Sequence, residues 1–263
     1  MIGLEIYWLL SIFFLISILS NLTGTGGGYL KVPFLQFFGY TTTAIPISIA
    51  TVPFFSIPST ILNAKRKNIF YKLSFFIIIG SLVGTILGNI IYNVIMLYNP
   101  IIYLIIFTIL LISVTFRLYT TKSTTNKNKI EYCISIEYNW LNLIIAILIG
   151  FLGGISSSFF GLGGGLIVTP LLVEIYHIEM HRSIGTSIFV MNFTALFVII
   201  ENLIFGYYNF DLFIIIIIIG IGMIIGSVIG SIISKRTKSK FLKYIFIGIV
   251  LGLAIPLLWN SYL

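Results

Sequence analysis

Two glycine clusters are the residues of this chain whose type and spacing most directly suggest chemistry. They lie 137 residues apart, in 24–35 and 161–172, and they share four glycines and a proline: Gly24, Gly26, Gly27, Gly28 and Pro33, then Gly161, Gly163, Gly164, Gly165 and Pro170. Consecutive glycines can adopt positive φ, and free N–H groups at the start of a following helix attract anions. We therefore expect two anion-binding helix starts, with close packing of the backbone as the alternative.

Hydroxyl side chains follow each cluster at a similar distance. The sequence Ser48-Ile49-Ala50-Thr51 matches Ser183-Ile184-Gly185-Thr186, at or near the start of the next apolar segment. The candidates to donate hydrogen bonds to a substrate are Ser48, Thr51, Ser183 and Thr186, together with Ser187. Capping of the helix or bonding to its backbone explains the same hydroxyls equally well.

Two ionisable residues lie in apolar surroundings. Lys31 is three residues past Gly28, and its counterpart in the second copy is Val168. An ionisable side chain inside a membrane is a functional hypothesis by default, so Lys31 is a candidate to pair with an anion; extension of its ammonium to the membrane surface is the alternative. Glu201 is a candidate for a coupling proton, although we expect it to be a solvated helix end.

The composition indicates a membrane protein. Of 263 residues, 59% are hydrophobic and 8% are charged, whereas soluble domains have about 45–50% and about 25%. A span needs about 20 apolar residues. The fold class is therefore an all-α polytopic membrane protein with eight long apolar helices, at 6–22, 44–62, 73–95, 101–118, 141–160, 183–204, 212–233 and 241–258, plus two short segments at 29–38 and 166–176. The short segments are predicted to be half-helices or limbs of re-entrant hairpins. The start lacks a basic region, so we expect 6–22 to be retained.

The two halves are internal repeats. A third pair of blocks follows in the same order as the first two, with Gly80, Gly84 and Gly88 matching Gly222, Gly226 and Gly230. Glycines spaced by four residues are typical of close helix packing in membranes. The predicted domains are a first repeat at 1–121, a polar cytoplasmic linker at 122–139 and a second repeat at 140–263.

The charges predict how the repeats are oriented. Cytoplasmic loops carry most Lys and Arg, and the basic clusters lie at 65–72, 117–129 and 235–243. All three fall on one face only if each half crosses the membrane an odd number of times. The repeats are then inverted, both termini lie outside, and the basic loops are cytoplasmic. The net charge of +8 serves orientation, so we expect no nucleic-acid partner.

The sequence contains few groups for catalysis or metal binding. The single Cys133 excludes an internal disulfide, and His177 and His181 are better interpreted as polar loop residues than as a metal pair. No metalloprotease, nucleotide-binding or Ser-His-Asp motif is present. We expect no enzyme activity, cofactor or metal. A membrane-embedded redox or envelope factor that uses Cys133 or the histidines, and an anion channel, remain alternatives to transport.

Together these blocks resemble the sulfite exporter TauE/SafE family of membrane permeases. The doubled Gly-x-Gly-Gly-Gly-x-x-x-x-Pro-x-Leu, the Ser-Ile-(Ala/Gly)-Thr blocks and the glycine-rich helices carry the resemblance over nearly the whole chain. The resemblance implies a multi-pass transporter of small sulfur oxyanions in the cell membrane, with an anionic substrate and the lipid bilayer as partners and homo-oligomerisation left open. Inverted repeats with interrupted helices are also typical of alternating access.

Overall fold

The computed structural model describes residues 2–40, 43–98, 106, 109, 139–237, 241 and 244. In this part of the chain all regular structure is helical, as predicted, and the helices are α1 Ile2–Thr23, α2 Gly28–Phe37, α3 Ala44–Ala50, α4 Val52–Lys65, α5 Tyr71–Tyr98, α6 Trp140–Phe160, α7 Gly165–Ile175, α8 Met180–Ile204 and α9 Phe210–Arg236. The predicted segments 101–118 and 241–258 and the linker 122–139 lie almost wholly outside the described residues. The count of eight long helices therefore stays a prediction.

Within the described ranges, five stretches are long and apolar enough to cross a membrane, at Ala44–Lys65, Tyr71–Ile95, Trp140–Phe160, Met180–Ile204 and Phe210–Arg236. Unlike the helices of a soluble bundle, these helices expose apolar side chains and bury polar ones. Along α9, for example, Ile217, Ile221 and Ile225 are exposed, whereas Ser227 and Ser231 are buried. An apolar exterior around a core rich in small residues fits a bilayer as the surrounding solvent. The predicted polytopic membrane fold is confirmed.

Glycine rows join the helices into two closely packed pairs, α5 with α6 and α1 with α9. A Cβ added to Gly80 or Gly84 of α5 would lie 1.9 or 2.1 Å from the carbonyl oxygens of Ile147 and Phe151 of α6. The glycines of α9 contact α1 in the same way (Gly222 with Leu10, Gly226 with Phe14 and Gly230 with Ile18). The predicted packing role of these glycines is confirmed. Contacting residue numbers rise together, so each pair is parallel.

The long helices before and after each short helix run in the same direction. Helix α4 contacts α9 at Phe54–Gly220 and at Arg66–Ser231, so α4 is parallel to α9 and therefore to α1. In the second half, α8 contacts α5 at residues 189 with 71 and 201 with 85, so α8 is parallel to α5 and therefore to α6. The short α2 and α7 must each return the chain toward its starting side. Ten helical residues span about 15 Å, half of a hydrocarbon core about 30 Å thick.

The corresponding segments of the two halves run in opposite directions. Near the start of the 44–65 stretch, the Pro46 carbonyl accepts a hydrogen bond from Tyr208, just past the end of α8. Beyond the other end of that stretch, Asn68 lies against Gly185, near the start of α8. The stretch 44–65 and α8 are therefore antiparallel, as expected for inverted repeats.

The 44–65 stretch is interrupted at Thr51, whereas the sequence predicted a continuous segment. Proline at position 53 lacks an N–H and its ring clashes with the carbonyl four residues earlier, which separates α3 from α4. The matching position in the second half is Ile188, and α8 is continuous there. The interruption therefore exists in the first half alone.

Candidate functional site

The two glycine clusters form tight loops between a long helix and a short one. Helix α1 ends at Thr23 and α2 begins at Gly28, while α6 ends at Phe160 and α7 begins at Gly165. Six glycines of these loops have φ between 68° and 84° (Gly24, Gly26, Gly27, Gly161, Gly163 and Gly164). Residues with a Cβ rarely adopt this conformation. The predicted positive φ is confirmed and explains the glycines at these six positions.

The loops from the two halves lie directly against each other. A Cβ added to Gly28 would lie 2.0 Å from the Gly161 carbonyl oxygen, and one added to Gly165 would lie 2.3 Å from the Gly24 carbonyl oxygen. Gly26 makes a similar approach to the Leu162 carbonyl, at 2.7 Å. Gly28 and Gly165 have ordinary helical φ, so close packing of backbone on backbone explains why both are glycine.

The starts of α2 and α7 carry no side-chain cap. Their N-cap residues are Gly27 and Gly164, both left-handed, and neither offers a side chain to the helix. The first N–H groups of a helix have no partner within it, and the aligned peptide dipoles place partial positive charge there. Two electropositive helix starts thus lie next to adjoining loops in the interior of the protein.

The four hydroxyls Ser48, Thr51, Ser183 and Thr186 make structural hydrogen bonds. The Ser48 hydroxyl donates to the Gly161 carbonyl at 2.8 Å, and Thr51 donates to the Ser48 carbonyl at 2.7 Å. Thr186 accepts from the Phe70 amide at 3.2 Å, and Ser183 donates to a backbone carbonyl at 3.3 Å. Of these four, Ser48 alone binds a glycine loop directly, and it links the first half to the second.

Lys31 lies fully buried beside the interruption of the third segment. Its ammonium donates to the Ser48 carbonyl at 2.8 Å and to the Thr51 hydroxyl at 3.3 Å. In a continuous helix that carbonyl would accept from the amide four residues later. The break frees it for the lysine. The second half has neither the break nor the cation, since Val168 and Ile188 occupy the matching positions.

The two prolines lie inside the short helices. Pro33 and Pro170 are each the sixth residue of their helix. A proline there leaves the carbonyl four residues earlier without its helical donor, at Tyr29 in α2 and Leu166 in α7. In each short helix, one carbonyl therefore lacks its usual helical N–H donor.

Sequence reasoning missed one hydroxyl at the loops and misjudged one acid. Thr169 and the candidate Ser187 both donate to the Gly24 carbonyl, at 3.0 and 3.4 Å. For Thr169, its position next to Pro170 was the available signal. Glu201, expected to be a solvated helix end, is only 9% exposed. The solvated interpretation is wrong because α5 covers this side chain.

Comparison with known proteins identifies one family model and two relatives. The family model for sulfite exporter TauE/SafE matches residues 9–257. The probable membrane transporter protein YunE of Bacillus subtilis (strain 168) is 24% identical over 213 residues, which cover 72% of this chain and 75% of that protein. The probable membrane transporter protein MJ0441 of Methanocaldococcus jannaschii is 29% identical over 190 residues, covering 70% and 67%. No solved structure matches.

The family match spans the paired glycine loops, the buried lysine and all five candidate spans. This chain is therefore a multi-pass membrane protein that belongs to the sulfite exporter TauE/SafE family.

Proposed function

We propose that this protein is a secondary transporter that carries small sulfur oxyanions, such as sulfite or organosulfonates, by alternating access. Family membership supports transport, and both relatives described above are named as probable membrane transporter proteins. The anionic substrate is supported by the chemistry of the site at the glycine loops. Sulfite and sulfonates present charged oxygens, which accept hydrogen bonds from backbone N–H groups and from an ammonium.

The observation that carries the proposal is Lys31. Its side chain is fully buried, and within the described residues its two acceptors are both uncharged. An isolated charge in an apolar interior is costly unless it is paired. A lysine ammonium has three donors, so one remains for a ligand once Ser48 and Thr51 are bound. A small anion would supply both the missing negative charge and the third acceptor.

The starts of α2 and α7 also favour a bound anion. Gly28 opens α2 and Gly165 opens α7, and their loops adjoin across the interface between the halves. Each uncapped start attracts negative charge. Because the two copies are inverted, they approach the interface from opposite sides. Substrate sites at the junction of inverted repeats are a general feature of secondary transporters.

Alternating access is supported by the way the halves meet. The contacts of Gly28 and Gly165 with the opposite loops are backbone on backbone, and the hydrogen bonds of Ser48 and Thr169 also link the halves there. We propose that the repeats 1–121 and 140–263 rock about this contact and expose the Lys31 site to one side and then the other. On the charge pattern, the protein lies in the cell membrane with its basic loops in the cytoplasm and both termini outside.

Flux measurements on purified protein in liposomes test this function. We expect labelled sulfite and a small sulfonate to move with saturable initial rates and to compete with each other, whereas choline should neither move nor compete. Linear, non-saturating flux with an ohmic current would indicate a channel. Absence of flux for every sulfur anion would contradict the proposal. Combined replacement of Cys133 by Ser and of His177 and His181 by Ala should leave the rates unchanged; loss of activity would favour the redox alternative.

A further inference from the structure

Glu201 is the second charged side chain, with Lys31, that is buried in the described part of the chain. It lies three residues before the end of α8. The Thr85 hydroxyl of α5 donates to its Oε1 atom at 3.2 Å, and Oε2 has no hydrogen-bond partner among the described residues. Intramembrane carboxylates that face a protein interior often take part in proton movement. The proposed anion site does not use this group.

A chain of hydrogen bonds runs from Tyr207 through Asn93 to Asn89, next to this carboxyl group. The Tyr207 hydroxyl donates to Asn93 Oδ1, and Asn93 Nδ2 donates to Asn89 Oδ1 at 3.3 Å. These bonds fix both amides, so Asn89 must present its Nδ2 donor elsewhere. Thr85, Asn89 and Asn93 are spaced by four residues and share one face of α5, the face that meets Glu201.

Two amide donors here remain free. The Nδ2 atoms of Asn89 and Asn202 are buried and lack acceptors within the part of the chain that the structure describes. Unpaired buried donors are costly. The Asn89 amide is a neighbour of the Glu201 carboxyl group, whose Oε2 is also unpaired, so this site is only half satisfied in this state. A small movement would let the Asn89 amide donate to the ionised carboxylate.

The available groups favour a proton over a metal ion. Sodium and other hard cations need several oxygen ligands. The unpaired neighbour of Glu201 is instead the N–H donor of Asn89, and the Asn89 and Asn93 oxygens already accept hydrogen bonds. The titratable groups nearby are the phenols of Tyr207 and Tyr208, in the following loop, and Tyr92 of α5. No basic residue in the described ranges pairs with Glu201, so no fixed charge locks it in the ionised state.

We propose that Glu201 is a proton-binding site that couples anion movement to the pH gradient. The inference rests on the proposed transport function. Glu201 takes up one proton as a neutral carboxyl group in one conformation and releases it to the opposite side in the other. Each transport cycle thereby moves one proton with or against the anion. Thr85 and Asn89 are positioning residues that stabilise the ionised form.

Glu201→Gln separates coupling from transport, because the amide has the shape of the protonated acid but cannot titrate. In proteoliposomes, a gradient of about one pH unit should change steady-state accumulation by about tenfold per coupled proton in the native protein. In Glu201→Gln this dependence should vanish, while exchange of labelled for unlabelled anion persists. Asp211→Asn, which removes an exposed acid at the start of α9, should behave like the native protein. Gradient-driven accumulation that persists in Glu201→Gln would overturn the proposal.

Infrared difference spectroscopy on the purified protein tests the site without any substrate. Titration should reveal the C=O stretch of a protonated carboxyl group that is missing in Glu201→Gln and present in Asp211→Asn. Retained anion exchange shows that the Gln variant is folded; if the native protein moves no sulfur anion, size-exclusion behaviour serves instead. Transport would then have failed as a proposal, while a titrating band assigned to Glu201 would still support proton binding. Absence of any band that depends on Glu201 would refute proton binding at this residue.

Discussion

The most sensitive test of the paired glycine loops is a single methyl group at Gly28. This residue is the first of α2, and its φ is not positive, so Gly28→Ala introduces no backbone strain. Helix propensity alone predicts that the alanine stabilises the protein by up to about 1 kcal/mol. Contact with the second loop predicts instead that the alanine destabilises the protein, so the measured sign of the stability change distinguishes the two effects.

The expected penalty follows from the distances. The new Cβ would lie 2.0 Å from the Gly161 carbonyl oxygen and 2.5 Å from Leu162 Cα, whereas ordinary contact begins at 3.4 Å. The loops would have to separate by about 1.4 Å. Overpacking of this kind costs about 1–3 kcal/mol. The same shift strains the hydrogen bond from Ser48 to that carbonyl, worth about 0.5–1.5 kcal/mol. We expect a net loss of about 2–3 kcal/mol.

Thermal unfolding in detergent, followed by size-exclusion chromatography, measures the change. Gly28→Ala should unfold several degrees below the native protein and lose most sulfite flux. Gly153→Ala is the matched control, because it is also a helical glycine, but its Cβ would meet the end of the Val168 side chain at 2.7 Å rather than a backbone carbonyl. Gly153→Ala should lower the unfolding temperature by clearly less than Gly28→Ala does. Equal or higher stability of Gly28→Ala would refute the loop-to-loop contact.

Three further predictions follow from the same contacts and from the topology. Gly165→Ala should destabilise the protein about as much as Gly28→Ala, because its Cβ would lie 2.3 Å from the opposite loop carbonyl, and a neutral result would show that the loops do not mirror each other. Ser48→Ala should lower stability by about 1–3 kcal/mol by leaving a buried carbonyl unpaired, measured by the same unfolding assay; no change would contradict its bridging role. In a cysteine-free background, cysteines at Lys67 and Lys235 should react with an impermeant reagent from the cytoplasmic side, and one at Phe205 from the outside; labelling of Lys67 and Lys235 from different faces would exclude the inverted arrangement.

The sequence predicted the helices well, because the bilayer imposes simple requirements on length and polarity. Apolar runs of about 20 residues gave the spans, and runs of about ten gave α2 and α7. The opposite directions of 44–65 and α8 followed from the positions of the basic loops. The glycine rows of α5 and α9 followed from their four-residue spacing, which matches one face of a helix.

The contact between the two glycine loops could not be predicted from the sequence, for a physical reason. Glycines carry no side-chain pattern, so nothing in the two clusters shows that Gly28 contacts Gly161 across 133 residues. The helix break at Thr51 was foreseeable from the proline that follows it. Burial of Glu201 could not be foreseen, because the helix that buries it, α5, is distant in sequence. The row of polar residues at 85, 89 and 93 was the one indication of a partner.

The central claim is that Lys31 binds the transported anion, and the concentration dependence of sulfite flux in Lys31→Met liposomes tests it most directly. A unit charge pair about 4 Å apart is worth about 4 kcal/mol at an effective dielectric constant of about 20, so removal of the cation should raise the KM for sulfite at least about tenfold. Lys31→Arg should retain part of the affinity, and Lys65→Met, at an exposed position, should retain all of it. An unchanged KM in Lys31→Met, with the protein folded, would contradict the claim.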